Sequence, residues 1–155
     1  MGFFDFFKRK NISKRQIRKS LNGYNKLLET GKNIKNAELI NIPNSDLENV
    51  VMGWMWGMFN EDWSDQYEII TSLPNPCQAV YSCRTVTDEI NNGGINQLFY
   101  NSAGQFAQLS IEGFDAMGFN ALSGIMKQAV DLYKKNKNLW DYRFNSNNRF
   151  FNGRL

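Results

Sequence analysis

A chain of 155 residues, 42% hydrophobic and 14% aromatic, has the material for a buried core without disulfides or metals, and its 21% charged residues argue against wholesale disorder. It contains no histidine, which removes Ser-His-Asp and Cys-His catalysis, His-ligated zinc and the commonest general base together. The net charge of +3 hides a segregation: ten bases and two acids in residues 1–35, only Arg84 against eleven acids in 36–126, and seven bases and two acids in 127–155. The favoured reading is that basic ends neutralise the acidic middle, within one chain or across a dimer. The sharper one sets the middle against a basic partner, or the basic arm against an anionic surface.

The longest apolar stretch, residues 50–59, includes two glycines and falls well short of the roughly twenty residues of a spanning helix. Charge enters too early at the N-terminus for a secretory signal, so a cytoplasmic location is expected. Residues 1–10 set Phe3, Phe4, Phe6 and Phe7 beside Lys8, Arg9 and Lys10. Membrane-surface contact through so short a segment is the minor reading, and packing of the rings on the domain or a neighbouring subunit is preferred. Phe6 stands where a myristoylation signal needs Ser or Thr.

Ser13 and Gln16 have capping-box spacing, and Ile17, Leu21, Tyr24 and Leu28 mark an amphipathic helix ending near Gly31. Lys14, Arg15, Arg18 and Lys19 occupy its other faces, read as solvated because no helix-turn-helix spacing or aromatic platform accompanies them. A loop through Pro43 leads to Ser45, expected to cap a helix beginning at Asp46 and running into residues 53–59. Trp54, Met55, Trp56 and Met58 there read as core rather than a ligand pocket. Asn60 is expected to cap a third helix striped by Trp63, Tyr67, Ile70 and Leu73.

After Pro74, Asn75 reads as a cap with Pro76 at the first helical position, followed by a core stripe of Ala79, Cys83, Val86 and Ile90. Cys77 and Cys83, six apart on this helix, diverge by roughly 120° and are expected as reduced thiols. The helix should stop at residues 91–94, with a short helix over 95–100 and a turn over 101–104. Phe106, Ser110, Phe114 and Met117 then mark one helix. Asn120 caps another, with Leu122, Ile125, Met126, Ala129 and Tyr133 inward. Trp140, Tyr142, Phe144, Phe150 and Phe151 fall in an expected irregular tail. The pattern predicts a single compact all-α domain of about six helices: a basic arm and helix over 1–35, a helical core over 36–138 and a tail over 139–155.

Residues 88–104 are the unusual part. Glu89 lies roughly 100° around the helix from Ile90, Asn92, Gly93 and Gly94 make an abrupt reversal, and Gln97 and Asn101 share a face four residues apart. These six are the candidate binding residues. In a structural role Glu89 accepts from backbone amides of the following helix, while Gln97 and Asn101 satisfy loop carbonyls. In a functional role the same groups take a polar ligand or a partner's backbone. No residue is nominated as catalytic or as a metal ligand, and no cofactor is expected.

Glu89-x-Asn91-Asn92-Gly93-Gly94, then Gln97, Phe99-Tyr100-Asn101-Ser102 and Gly104, resembles the signature of a bacterial domain-of-unknown-function family labelled as the DNA-mimic protein C-terminal domain. Ala79-Val80-Tyr81 and Ile111-Glu112-Gly113-Phe114 are in keeping. The resemblance implies an all-α fold and a homodimer. It also implies, through surface carboxylates that imitate phosphates, a DNA-binding protein as partner. The chain departs from it in its positive net charge and basic ends, which leave only the acidic region 36–126 to act as a mimic. The pairs Glu112 and Asp115, and Glu61 and Asp65, have helical spacing but lack the surroundings of a metal or glycosidase site. The expected function is therefore a non-catalytic protein–protein interaction module, with a DNA mimic as the alternative and no direct nucleic-acid binding.

Overall fold

The structure, a computed structural model, describes residues 13–151, with side chains described for all of these except 36, 37 and 138–151. Six helices follow one another: α1 (Lys14–Asn33), α2 (Asn44–Trp56), α3 (Gln66–Ser72), α4 (Asn75–Tyr100), α5 (Ala107–Ala116) and α6 (Asn120–Phe151). There is no strand among the described residues, so the expected all-α class holds. The helices form two packing units, divided between Trp63 and Ser64. The Phe-rich residues 3–7 lie outside the described residues.

In the first unit α1 begins at the anticipated capping box. The Gln16 N–H donates to Ser13 Oγ at 3.2 Å, and the Ser13 N–H donates to Gln16 Oε1 at 2.9 Å. Its last turns cross α2 at two glycines. A Cβ on Gly31 would lie 2.7 Å from the Trp54 nitrogen, and one on Gly53 would lie 2.8 Å from Leu28 Cα. That approach buries Leu28, whereas Ile17 and Leu21, on the same stripe, stay exposed. Helix α2 starts two residues before the expected position. Pro43 presets the backbone, and its carbonyl accepts from the Asp46 and Leu47 N–H groups at 2.9 and 3.1 Å. Ser45 therefore caps nothing; its hydroxyl bonds Asp46 at 3.2 Å. Met55 is fully buried and Met58 is exposed.

Asn60 does not cap a helix either. Its carbonyl accepts the Trp63 N–H at 3.2 Å in a turn, and Trp63 takes a left-handed φ of 60° while its ring meets Trp56 at 5.5 Å and Phe59 at 5.4 Å. These aromatic contacts override the helical spacing. In the second unit α3 opens only at Gln66, and of the four-residue stripe expected there Ile70 is fully buried while Tyr67 is exposed. Gln66 ties the unit together: its Nε2 donates to the Tyr81 hydroxyl, and its Oε1 accepts from Gln105 Nε2 at 3.3 Å.

Helix α4 packs on α3 and α5 and on the turn between itself and α5, so its buried surface is wider than one stripe. Cys83 and Val86 are buried as expected, Ala79 and Ile90 are half-buried, and Tyr81 and Ser82 are also fully buried. The Tyr81 ring meets Phe106 edge-on at 5.1 Å. Helix α5 comes close because of Gly113, where a Cβ would stand 2.7 Å from Cys83 Sγ. The buried hydroxyls of Ser82 and Ser110 turn to carbonyls of their own helices, Ala79 at 3.3 Å and Ala107 at 2.8 Å. No side-chain bond caps α4; Asn75 belongs to the helix and Pro74 precedes it.

Helix α6 corrects the reading in two ways. Among its described side chains, the buried face is Ser123, Met126 and Val130, while Leu122 and Ile125 point outward. A small serine took the core position that the pattern assigned to larger residues. The expected irregular tail is also helical as far as Phe151, beyond a local break at Asn136 (φ −112°, ψ 15°). Asn136 Nδ2 donates to the Leu132 carbonyl across that break at 2.8 Å. No glycine or proline interrupts the chain between there and Gly153, so nothing ends the helix sooner.

Candidate functional site

Residues 91–94 are Asn-Asn-Gly-Gly, a run of weak helix formers in the middle of α4. Gly94 adopts φ 81° and ψ −178°, a region essentially confined to glycine. At Gly93, with φ −154° and ψ 15°, a Cβ would run into the Gln97 carboxamide oxygen. The missing side chain is what lets Gln97 fold back over the bend. The helix resumes at once over residues 95–100, and Asn101 then leaves it with extended backbone.

The bend brings three of the nominated residues into one network. Gln97 Nε2 donates to Glu89 Oε2 at 3.0 Å, and Asn101 Nδ2 donates to the same oxygen at 2.8 Å. Both bonds end on a carboxylate oxygen, the stronger class of hydrogen bond, and all three residues are half-buried. The carboxamides thus answer Glu89 itself rather than loop carbonyls. Backbone groups of Asn101 complete the corner: its N–H donates to the Gln97 carbonyl at 2.9 Å and its carbonyl accepts from Gly104 at 3.0 Å. Asn92 lies exposed on the bend. On the inner side Leu98 is fully buried, and Phe99 stacks on Tyr133 of α6 at 4.3 Å with 3° between the planes. The corner fixes the direction of the chain and provides a seat for α6.

Other chemistry is sparse. Burial pushes the Cys83 thiol up to about 11, against a lowering hydrogen bond from Ser82, so at neutral pH it is protonated and a poor nucleophile. Both cysteines are free, Cys77 half-buried and Cys83 buried. Glu112 and Asp115 sit exposed on α5. Glu61 and Asp65 share no helix face, because Glu61 lies in the turns before α3 and Asp65 immediately precedes that helix. Among the described residues no three His, Cys, Asp or Glu side chains gather to hold a metal, and no helix is long and apolar enough to cross a membrane. A shallow groove of about 620 Å³ beside the end of α1 has a mixed lining that includes Lys26, Glu29, Asn33 and Glu38.

One surface went unrecognised. Phe119, Leu122, Ile125 and Leu132 are 54%, 46%, 54% and 64% exposed. With Ala129, the last three are spaced by three, four and three residues, the interval of a two-helix seam. That interval was visible in the chain; its outward direction was not.

Searches of curated proteins and of solved structures returned no match. A scan of family models matched residues 71–152 to the model described as DMP19-like protein. The match takes in all of α4, α5 and α6, with the Glu89 corner inside it. Covering just over half of the sequence, it shows that the chain belongs to the DMP19-like protein family.

Proposed function

We propose that this chain is a non-catalytic protein-binding module whose contact face is the exposed apolar side of α6. The observation that carries the reading is the seam-spaced row Leu122, Ile125, Ala129 and Leu132, continued upward by Phe119. Apolar residues aligned at this interval on one exposed helix face mark a protein contact. A second copy of the chain is the first occupant to consider, since each copy would bring the same row to an isologous pairing. In this reading the Glu89 corner is a brace. Glu89, Gln97 and Asn101 spend their hydrogen bonds on one another, Gly93 and Gly94 shape the bend, and the Asn92 side chain is left outward for contact.

Membership of a family named for a DNA mimic supports a second reading, in which exposed carboxylates of the acidic region, among them Glu68, Glu112 and Asp115, face a DNA-binding protein. Asp88 is less suited to that task because Arg84 Nε donates to it at 2.7 Å. The test begins with molar mass across a concentration series, for the wild type and for Leu122→Asp with Ile125→Asp. A wild-type dimer converted to a folded monomer supports the α6 face; an unchanged mass in both removes the second copy as occupant. Partners retained from lysate are then challenged with duplex DNA. Release by DNA, together with loss on Glu112→Gln and Asp115→Asn, favours the mimic reading. Retention that depends only on Leu122 and Ile125 favours the apolar contact.

A further inference from the structure

The stripe of α1 is covered along only part of its length. Leu28 and Gly31 are buried where the helix crosses α2, but every residue from 13 to 23 is exposed, and Ile17 and Leu21 are 47% and 56% accessible. A Cβ added at Gly23 would meet nothing within 4 Å. At 100° per residue, Ile17, Leu21 and Tyr24 fall within roughly 60° of one another. Lys14 and Arg18 border that stripe on one side, and Arg15 and Lys19 lie behind it. The first half of α1 is therefore a free amphipathic helix with an aliphatic line and bases at its margin. Residues 3–10, immediately before it in sequence, add four phenylalanines and the run Lys8-Arg9-Lys10.

We infer that this half of α1 lies on an anionic lipid surface, with Ile17 and Leu21 at the level of the acyl boundary and Lys14 and Arg18 against the headgroups. Charge complementarity commits the face to this occupant. Residues 1–35 carry ten bases and two acids, and a basic helix with a continuous apolar line is suited to an interface plane. A nucleic acid would use the bases but would leave the aliphatic line uncovered.

The test is co-sedimentation of the full chain with vesicles of phosphatidylcholine alone or with 30% phosphatidylglycerol, in roughly 0.1 M salt. Binding is expected only to the anionic vesicles. Lys14→Gln with Arg18→Gln should lower the partition coefficient about 25-fold, at about fivefold per base. Ile17→Gln with Leu21→Gln should lower it at least tenfold. Both variants should melt as the wild type does. An early-melting Ile17→Gln, Leu21→Gln variant overturns the inference, because the stripe would then be core. So does equal binding to both vesicle types, binding to neither, or anionic binding unaffected by Ile17→Gln with Leu21→Gln. Tight retention of duplex DNA that requires Lys14 and Arg18 but not Ile17, without vesicle binding, assigns the face to nucleic acid. A dimer dispersed by Ile17→Gln with Leu21→Gln, again without vesicle binding, assigns it to a second copy.

Discussion

Helices α4 and α6 carry apolar rows of nearly the same helical spacing, yet one is inside the molecule and the other is not. Cys83 and Val86 on α4 are buried against neighbours whose small residues, above all Gly113, let the backbones approach. Leu122 and Ile125 on α6 look outward, because the helix is anchored through Ser123, Met126 and Val130 and through the stack of Tyr133 on Phe99. Periodicity reports that a helix has an apolar side. Whether anything covers that side depends on where its neighbours lie and on how many apolar sides the helix has.

The largest effect that would break this contrast is in the core. Phe106→Ala, at a fully buried ring, should cost about 3–5 kcal/mol in chemical denaturation, whereas a loss below 1 kcal/mol would mean that the packing around Tyr81 is not as described. Glu89→Ala should cost about 2 kcal/mol, since it removes a charged acceptor and strands two carboxamides. Glu89→Gln should recover part of that loss, and equal loss from both would show that the charge matters more than the bonds. Gly94→Ala, forced into φ 81°, should cost about 1–2 kcal/mol even though the space around it is empty. A neutral result would move the bend elsewhere.

The Cys83 thiol sharpens the comparison through its proton. Its folded value, about 11, lies above the ordinary 9.0, so the folded state holds the proton more tightly. The associated stability is complete below pH 9 and is lost as pH rises from 9 towards 11. Wild type should therefore lose more of its melting temperature over that window than Cys83→Ala, and at pH 8 a thiol reagent should modify Cys77 well before Cys83. At the small end, Leu122→Ala and Ile125→Ala should each change stability by less than about 0.5 kcal/mol in the monomer, however strongly they affect association. A core-sized loss at either position would place the α6 row inside the molecule.

Much of the architecture was legible. The capping box at Ser13, the break at Gly93-Gly94 and the cysteines as free thiols all follow from local chemistry. The clustering of Glu89, Gln97 and Asn101 was anticipated from spacing, though their partners were misassigned. Spacing states which side chains can meet but not which donor reaches which acceptor. The caps expected at Ser45 and Asn60 failed because Pro43 starts α2 earlier and because Trp63 turns back onto Trp56 and Phe59. Tyr81, quoted only for the family resemblance, was not placed in the core because its hydroxyl is satisfied by Gln66, fifteen residues away, and no local pattern announces that partner.

The sequence by itself determined helical content, the absence of histidine chemistry and the location of the bend at Gly93-Gly94, since these depend on residue type and on contacts within a few positions. Only the tertiary structure decided which apolar rows are covered, as it did for α4, and which are left open, as on α6 and the first half of α1. It also decided that a single carboxylate oxygen would hold the bend. Burial and hydrogen-bond choice are settled by groups distant in sequence, and a one-dimensional pattern carries their capacity for contact but not the geometry that realises it.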